Sequence, residues 1–167
     1  MSIADKYYPW ANKLPPKLAV GIATLGITGS FKAPGTFGSL LGVILYIVFF
    51  RFLPLEAYIL FAGALLYFSI GVCDKAEKVL NQKDPGGIVF EEFAAIPLCF
   101  LPFPFLNFSN ITIWTVFLGF ALFRIFDIYK PMGINRLQNL EGGLGCVIDD
   151  AAAAACVWII LNVLALC

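Results

Sequence analysis

The chain has 167 residues, of which 60% are hydrophobic and 13% charged, and its mean hydropathy is +0.88. A soluble domain is about half apolar and roughly a quarter charged, so this composition points to a membrane-embedded protein. Eleven basic residues balance eleven acidic ones and histidine is absent, which withdraws support for nucleic-acid binding and removes every mechanism built on an imidazole.

Residues 1–17 carry Asp5, Lys6, Lys13 and Lys17 and lack the apolar stretch of a signal peptide. They predict a surface-lying or disordered cap, with Tyr7, Tyr8 and Trp10 among lipid headgroups, ahead of one membrane-embedded domain over 18–167. Leu18–Ser30 is apolar but shorter than the roughly 20 residues a helical span needs, and predicts a re-entrant or interfacial segment. The stretch Lys32-Ala-Pro34-Gly35-Thr36-Phe37-Gly38-Ser39 then leads into a first span, Leu40–Leu53. There Ser39 reads as a helix N-cap, and the glycines permit backbone N–H groups to approach an anion. An ordinary helix-starting turn explains the same residues.

After a turn at Pro54-Leu55-Glu56, Ala57–Cys73 is the second span, followed by a polar stretch, Asp74–Glu92. Phe93–Leu106, interrupted by Pro97, Pro102 and Pro104, predicts a short, kinked third span. Beyond Asn107–Asn110, Ile111–Phe123 is the fourth and Ala151–Cys167 the fifth. The fold class is therefore an all-α integral membrane protein, a compact bundle of about four to five transmembrane helices plus the N-terminal segment.

If these spans alternate, ten of the eleven Lys/Arg residues fall on one side, with Arg51 the exception. The positive-inside rule makes that side cytoplasmic. Ten of the eleven carboxylates fall there too, Glu56 excepted. Acidic residues do not set topology, so their gathering implies a shared site at the cytoplasmic face. The five cysteines show no CxxC spacing and none has an arginine six positions on. They read as small buried hydrophobes.

Within the polar set, Asp84, Glu91, Glu92, Asp127, Asp149 and Asp150 offer oxygen ligands, which suit Mg²⁺, Mn²⁺ or Ca²⁺. On a helix, Arg124, Asp127 and Lys130 are spaced by three and share a face, either as a structural ion-pair network or as a device for handling phosphate. Asp149 and Asp150 follow Gly142-Gly143-Leu144-Gly145, whose flexibility suits backbone contact with phosphate; one aspartate also suits the positive end of the last helix.

Four motifs occur in order: Pro34-Gly35-Thr36-Phe37-Gly38-Ser39-Leu40, Asp84 with Ile88-Val89-x-Glu91-Glu92, Arg124-x-x-Asp127-Ile128-x-Lys130-Pro131, and Gly142-Gly143-x-Gly145 with Asp149-Asp150-x-x-Ala153. Together, over roughly residues 18–155, they resemble the bacterial phosphatidylglycerophosphatase A family of small integral membrane phosphatases. The chain departs from the family pattern at Glu91, Ala95, Gly133 and Ala154.

The resemblance implies Mg²⁺-dependent hydrolysis of phosphatidylglycerophosphate, a phospholipid substrate of the inner leaflet, to phosphatidylglycerol and phosphate. It places the protein in the bacterial cytoplasmic membrane as a multi-pass enzyme with its site facing the cytoplasm. Asp84, Glu91, Glu92, Asp149 and Asp150 would serve the metal. Thr36, Ser39, Arg124, Lys130, Gly143 and Gly145 would hold phosphate. Asp127, or a water activated by the metal, would attack phosphorus, with Glu91, Arg124 and Lys130 completing the catalytic set. Rival readings are a phosphatase of another lipid phosphate, such as phosphatidic acid, and a small transporter or channel.

Overall fold

The structure, a computed structural model, describes residues 7–102, 111–131, 134, 137, 140 and 142–166. The loop expected at Asn107–Asn110, the kink at Pro104 and the departure at Gly133 lie outside the described residues. Prolines start the early helices, because a proline at the first helical position has no N–H to leave unsatisfied. Pro9 opens α1 (Pro9–Asn12), Pro16 opens α2 (Pro16–Ala23), and Pro34 opens α3 (Pro34–Val48). Pro54 caps α4 (Leu55–Leu80), which ends on Asn81 in the left-handed conformation. After α5 (Phe90–Ala95) a 3₁₀ turn runs over Ile96–Phe100.

The helix α6 (Ile113–Tyr129) opens with a capping box between Thr112 and Thr115 and closes on Lys130, left-handed at φ 43° and followed by Pro131. Gly142, at φ 62°, turns the chain into α7 (Gly143–Ala165). No strand occurs among the described residues, so the all-helical class is observed.

Three segments are long and apolar enough to cross a membrane: Pro34–Phe52, Leu55–Leu80 and Gly143–Ala165. All three start earlier than hydropathy alone predicts, the second by only two residues, since Leu55 and Glu56 belong to the helix and not to the expected turn. The first begins at Pro34, six residues before Leu40, so Ser39 is not an N-cap; it lies in the second turn and donates its hydroxyl hydrogen bond to the Gly35 carbonyl at 2.8 Å. The last begins at Gly143, eight residues before Ala151, which puts Asp149 and Asp150 inside the helix and not at its cap. In both cases glycines sit in the first turns, and the helix gains by packing what they cost in backbone entropy.

The second span runs on as one helix to Leu80, carrying Asp74, Glu77 and Lys78 beyond the apolar run. The third expected span begins as α5 and changes to 3₁₀ at Ile96, where Pro97 lacks the N–H an α-helix would use.

Around α7 stand α4, α5, α6 and the 3₁₀ turn, while α3 packs on α5 and α6. The main core joins Tyr46, Phe50, Tyr58, Phe100, Phe123, Val157 and Leu161, with Ala95 and Ala154 buried among them. Those two departures from the family pattern therefore fall at packed positions that accept a methyl group. The polar Asn162, inside α7, donates to the Trp158 carbonyl. The N-terminal helices lie along α4: Trp10 stacks on Phe68 at 5.2 Å, over Gly71. With eight residues, α2 is too short to cross a bilayer.

The arrangement has one functional consequence. Helices α3, α5 and α7 begin, and α4 and α6 end, at the same end of the bundle, because Gly35 abuts Glu92 and Arg124, Cys73 meets Glu91, and Lys130 meets Asp149.

Candidate active site

The close approach of α3 and α5 prepares one side of this end. Gly35, Gly38 and Gly42 lie on one face of α3, and a Cβ on any of them would strike the α5 region: 2.2 Å from Glu92 Oε1, 2.7 Å from the Val89 carbonyl and 2.8 Å from the Phe93 carbonyl. The glycines set how closely Glu92 can approach α3. Arg124 reaches into the same place from α6. Its Nη1 lies 2.6 Å from Asp127 Oδ2, donates to Ser39 Oγ at 3.2 Å, and lies 3.6 Å from Glu92 Oε1. The spacing of three between Arg124 and Asp127 does place them on one face. Lys130 instead leaves the left-handed cap of α6 and pairs with Asp149 on α7.

The opposite side is built from thiols. Glu91 accepts hydrogen bonds from Cys73 on α4 at 3.1 Å and from Cys146 on α7 at 3.3 Å. Cys146 also lies 3.5 Å from Asp84 Oδ1. Asp84 is held by its backbone N–H, which donates to Glu77 Oε1 at 2.7 Å, with φ at 47°. Gly143, expected at a phosphate, packs against α4: an added Cβ would lie 2.3 Å from the Ile70 carbonyl and 2.4 Å from the Asp74 amide. Gly145 is buried in the same first turn, and Thr36 is half-buried in the first turn of α3.

Between the two sides lies a cavity of about 120 Å³ lined by Asp84, Glu91, Glu92, Asp127, Asp149 and Asp150 together with Lys130 and Cys146. Six carboxylates thus face two cations, Lys130 and, through its ion pairs, Arg124. Burial pushes the Glu91 carboxyl up to about 7 against the lowering effect of the two thiols. Burial, then the charges of Glu91 and Asp127, hold Glu92 well above the ordinary carboxylate range, although Arg124 opposes them. For Lys130, burial works against the charged form, but Asp149, Asp150 and Asp127 prevail and hold the ammonium above its usual value.

Buried carboxylates need a compensating partner, since an isolated charge in a low-dielectric site is costly. Among the described residues, Glu92 Oε2 and Asp150 Oδ2 are buried and accept no hydrogen bond. Ligand atoms of Asp84, Glu91 and Cys146 lie within 4.8 Å of one another. Orphaned oxygens and a donor set dominated by carboxylate fit a divalent cation. Cys73, Glu77 and Cys146 were not among the candidates from sequence. The signal for Cys146 lay in helical spacing, since 146, 149, 150 and 153 share one face once α7 is extended back to Gly143.

The chain matches phosphatidylglycerophosphatase A as a family over residues 21–165. It is 35% identical over 123 residues to the Haemophilus influenzae protein named phosphatidylglycerophosphatase A, covering 73% of this chain and 72% of that one. It is 33% identical over 121 residues to the Escherichia coli protein of the same name, covering 72% and 67%. A Bacteroides thetaiotaomicron protein, provisionally named a phosphatidylinositol-3-phosphatase, is 34% identical over 157 residues, or 90% of this chain and 96% of that one. No solved structure matches the chain significantly. With the family matched over nearly the whole bundle, and two relatives of that name aligned across more than two-thirds of their own length, the chain belongs to the phosphatidylglycerophosphatase A family of membrane phosphatases, which are phosphoric monoester hydrolases.

Proposed function

We propose that this chain is a Mg²⁺-dependent phosphatidylglycerophosphatase that hydrolyses phosphatidylglycerophosphate to phosphatidylglycerol and phosphate in glycerophospholipid biosynthesis. The observation that carries the reading is the cavity in which six carboxylates meet Lys130, two of them paired with Arg124, at one end of an apolar bundle. Asp84, Glu91, Glu92, Asp149 and Asp150 would hold the ion. When bound, Mg²⁺ supplies positive charge to phosphate oxygens and acidifies water. Arg124 and Lys130 take phosphate oxygens and offset charge as the bond to phosphorus breaks. Asp127, oriented by Arg124, faces the cavity as the residue able to attack phosphorus. Ser39 steadies Arg124 from α3. Thr36 stands beside this end, where a headgroup enters.

In this reading the protein is a multi-pass protein of the bacterial cytoplasmic membrane. Together with α6, the segment that begins at Phe93 joins the three apolar spans in the bilayer, and the cavity faces the cytoplasm, where the basic residues gather. Its partner is the phospholipid of the inner leaflet.

A second reading is favoured by one relative: the Bacteroides thetaiotaomicron protein aligns with most of this chain and carries a phosphoinositide activity in its name. Phosphate release from mixed micelles separates the two. We expect the largest kcat/KM on phosphatidylglycerophosphate, abolished by EDTA and restored by Mg²⁺. Faster release from phosphatidylinositol 3-phosphate would select the second reading, and equal turnover of phosphatidic acid would sink the narrow substrate claim. Ion flux across liposomes without phosphate release would replace both with a transporter.

A further inference from the structure

A cleft outside the carboxylate cavity runs between α3 and α6. Its volume is about 390 Å³, and it is lined by Leu40, Val43 and Ile47 on α3 and by Ile113, Phe117 and Phe120 on α6, among other apolar side chains. The two helices are antiparallel here, since Arg124 near the end of α6 meets Ser39 near the start of α3 while Ile47 and Ile113 share the far part of the cleft. Each lining stripe advances seven residues, about 10 Å of helix on either side.

The helical register ties this cleft to the polar site. On α6 the stripe at 113, 117 and 120 continues by one turn to Arg124 and by two to Asp127. On α3 the stripe at 40, 43 and 47 continues back by one turn to Thr36. Steps of three and four stay on one helix face. Both walls therefore pass from apolar side chains to the polar site at the same height, about 6 Å beyond Leu40 and Phe120. A phosphate at Arg124 would have an apolar trough leading away from it, down the bundle.

We propose that this cleft holds an acyl chain of the lipid whose phosphate enters the carboxylate cavity, so that α3 and α6 fix head and tail together. The occupant is hydrocarbon because among the lining residues there is no charged or amide side chain to recognise anything else. The proposal rests on the lipid-phosphatase reading above. It adds a discriminating subsite: chain length, and not the headgroup alone, enters kcat/KM, because binding energy from a remote part of the substrate orients the reacting centre.

Photo-crosslinking of the wild-type protein decides it. The protein in phosphatidylcholine nanodiscs is illuminated with phosphatidylglycerophosphate bearing a diazirine near the end of one acyl chain, and adducts are mapped by mass spectrometry. Adducts are expected to concentrate on α3 and α6 along Leu40–Ile47 and Ile113–Phe120. Excess unlabelled phosphatidylglycerophosphate should suppress them, and excess phosphatidylcholine should not. Adducts spread equally over the outward faces of α4 and α7, or suppressed alike by both lipids, would overturn the proposal.

Leu40→Trp and Phe117→Trp provide a second readout at positions that are 45% and 65% exposed and so tolerate bulk. Each should lower the ratio of kcat/KM for a long-chain substrate over its dihexanoyl analogue by about tenfold; an unchanged ratio counts against the cleft. Should the wild type release phosphate from no lipid, the phosphatase reading falls, while the competed crosslinks still decide what the cleft holds.

Discussion

The two walls of the carboxylate cavity are chemically unlike. On one, Arg124 serves Asp127 and Glu92, and Lys130 serves Asp149. On the other, Glu91 takes its hydrogen bonds from two thiols. A thiol is a weak donor and carries no charge, so it leaves most of a carboxylate's electrostatic demand unmet. A guanidinium or ammonium meets it with permanent charge. The difference teaches where ligands of each sign belong. On the proposed function, a divalent cation would sit between the thiol wall and the unpartnered Glu92 and Asp150 oxygens, and a phosphate against the cations. In the proposed reading, one small cavity would thereby sort a metal from an anion without a single histidine.

The sharpest way to break this division is Asp150→Asn. Asp150 is buried with Oδ2 unpartnered among the described residues. Loss of its charge should cut Mg²⁺-dependent phosphate release about a thousandfold. The same change removes a carboxyl oxygen that is buried without a partner, so the melting temperature of the metal-free protein should hold or rise. A fall in melting temperature together with retained activity would make Asp150 structural.

Next in size is Arg124→Lys on the opposite wall. The guanidinium reaches Asp127, Ser39 and Glu92 through Nη1, which stands one bond further along its side chain than a lysine ammonium does, so lysine falls short of this meeting point. We expect kcat to fall about a hundredfold with metal affinity nearly unchanged. An equal loss of metal affinity would show that the two walls are not separable.

Much of this was legible in the residues, and the misses have a common cause. Three apolar spans, the gathering of acids at one end, and the pairing of Arg124 with Asp127 follow from hydropathy and helical spacing. What hydropathy hides is a helix that begins in glycine or continues through charge. Pro34–Ser39 and Gly143–Gly145 read as loops because their residues are poor helix formers, yet they open helices, placed where α3 meets α5 and α7 meets α4 backbone to backbone. Cys73 and Cys146 look like ordinary core residues in a linear reading. Helical spacing puts Cys146 on the face of Asp149 and Asp150 once α7 is extended, but only the packing of α4 and α7 around Glu91 gives the two thiols their partner.

A smaller effect tests the thiol wall by pH. Burial holds Glu91 at about 7, so below that pH the carboxyl is protonated and a cation must displace the proton. Above it, no proton is displaced. Mg²⁺ affinity, read as metal-induced thermal stabilisation, should therefore fall about tenfold per pH unit below 7 and level off above it. In Glu91→Gln the step near pH 7 should vanish. Persistence of the step in that variant would assign it to another group.

The smallest expected effect uses the glycine face of α3 to separate activity from stability. In Gly35→Ala the new methyl would stand 2.2 Å from Glu92 Oε1 and 3.1 Å from both terminal nitrogens of Arg124, all ends of movable side chains. Alanine is also the better helix former by about 1 kcal/mol. The fold should hold while the Glu92–Arg124 pair is displaced, lowering kcat about tenfold. In Gly38→Ala and Gly42→Ala the obstacles are the Val89 and Phe93 carbonyls, backbone atoms that cannot step aside. Those variants should lose about 1–3 kcal/mol of stability from overpacking, seen as a lower melting temperature. If Gly35→Ala instead melts early at full activity, the first turn of α3 supports only the packing of the bundle, and the cation wall owes nothing to it.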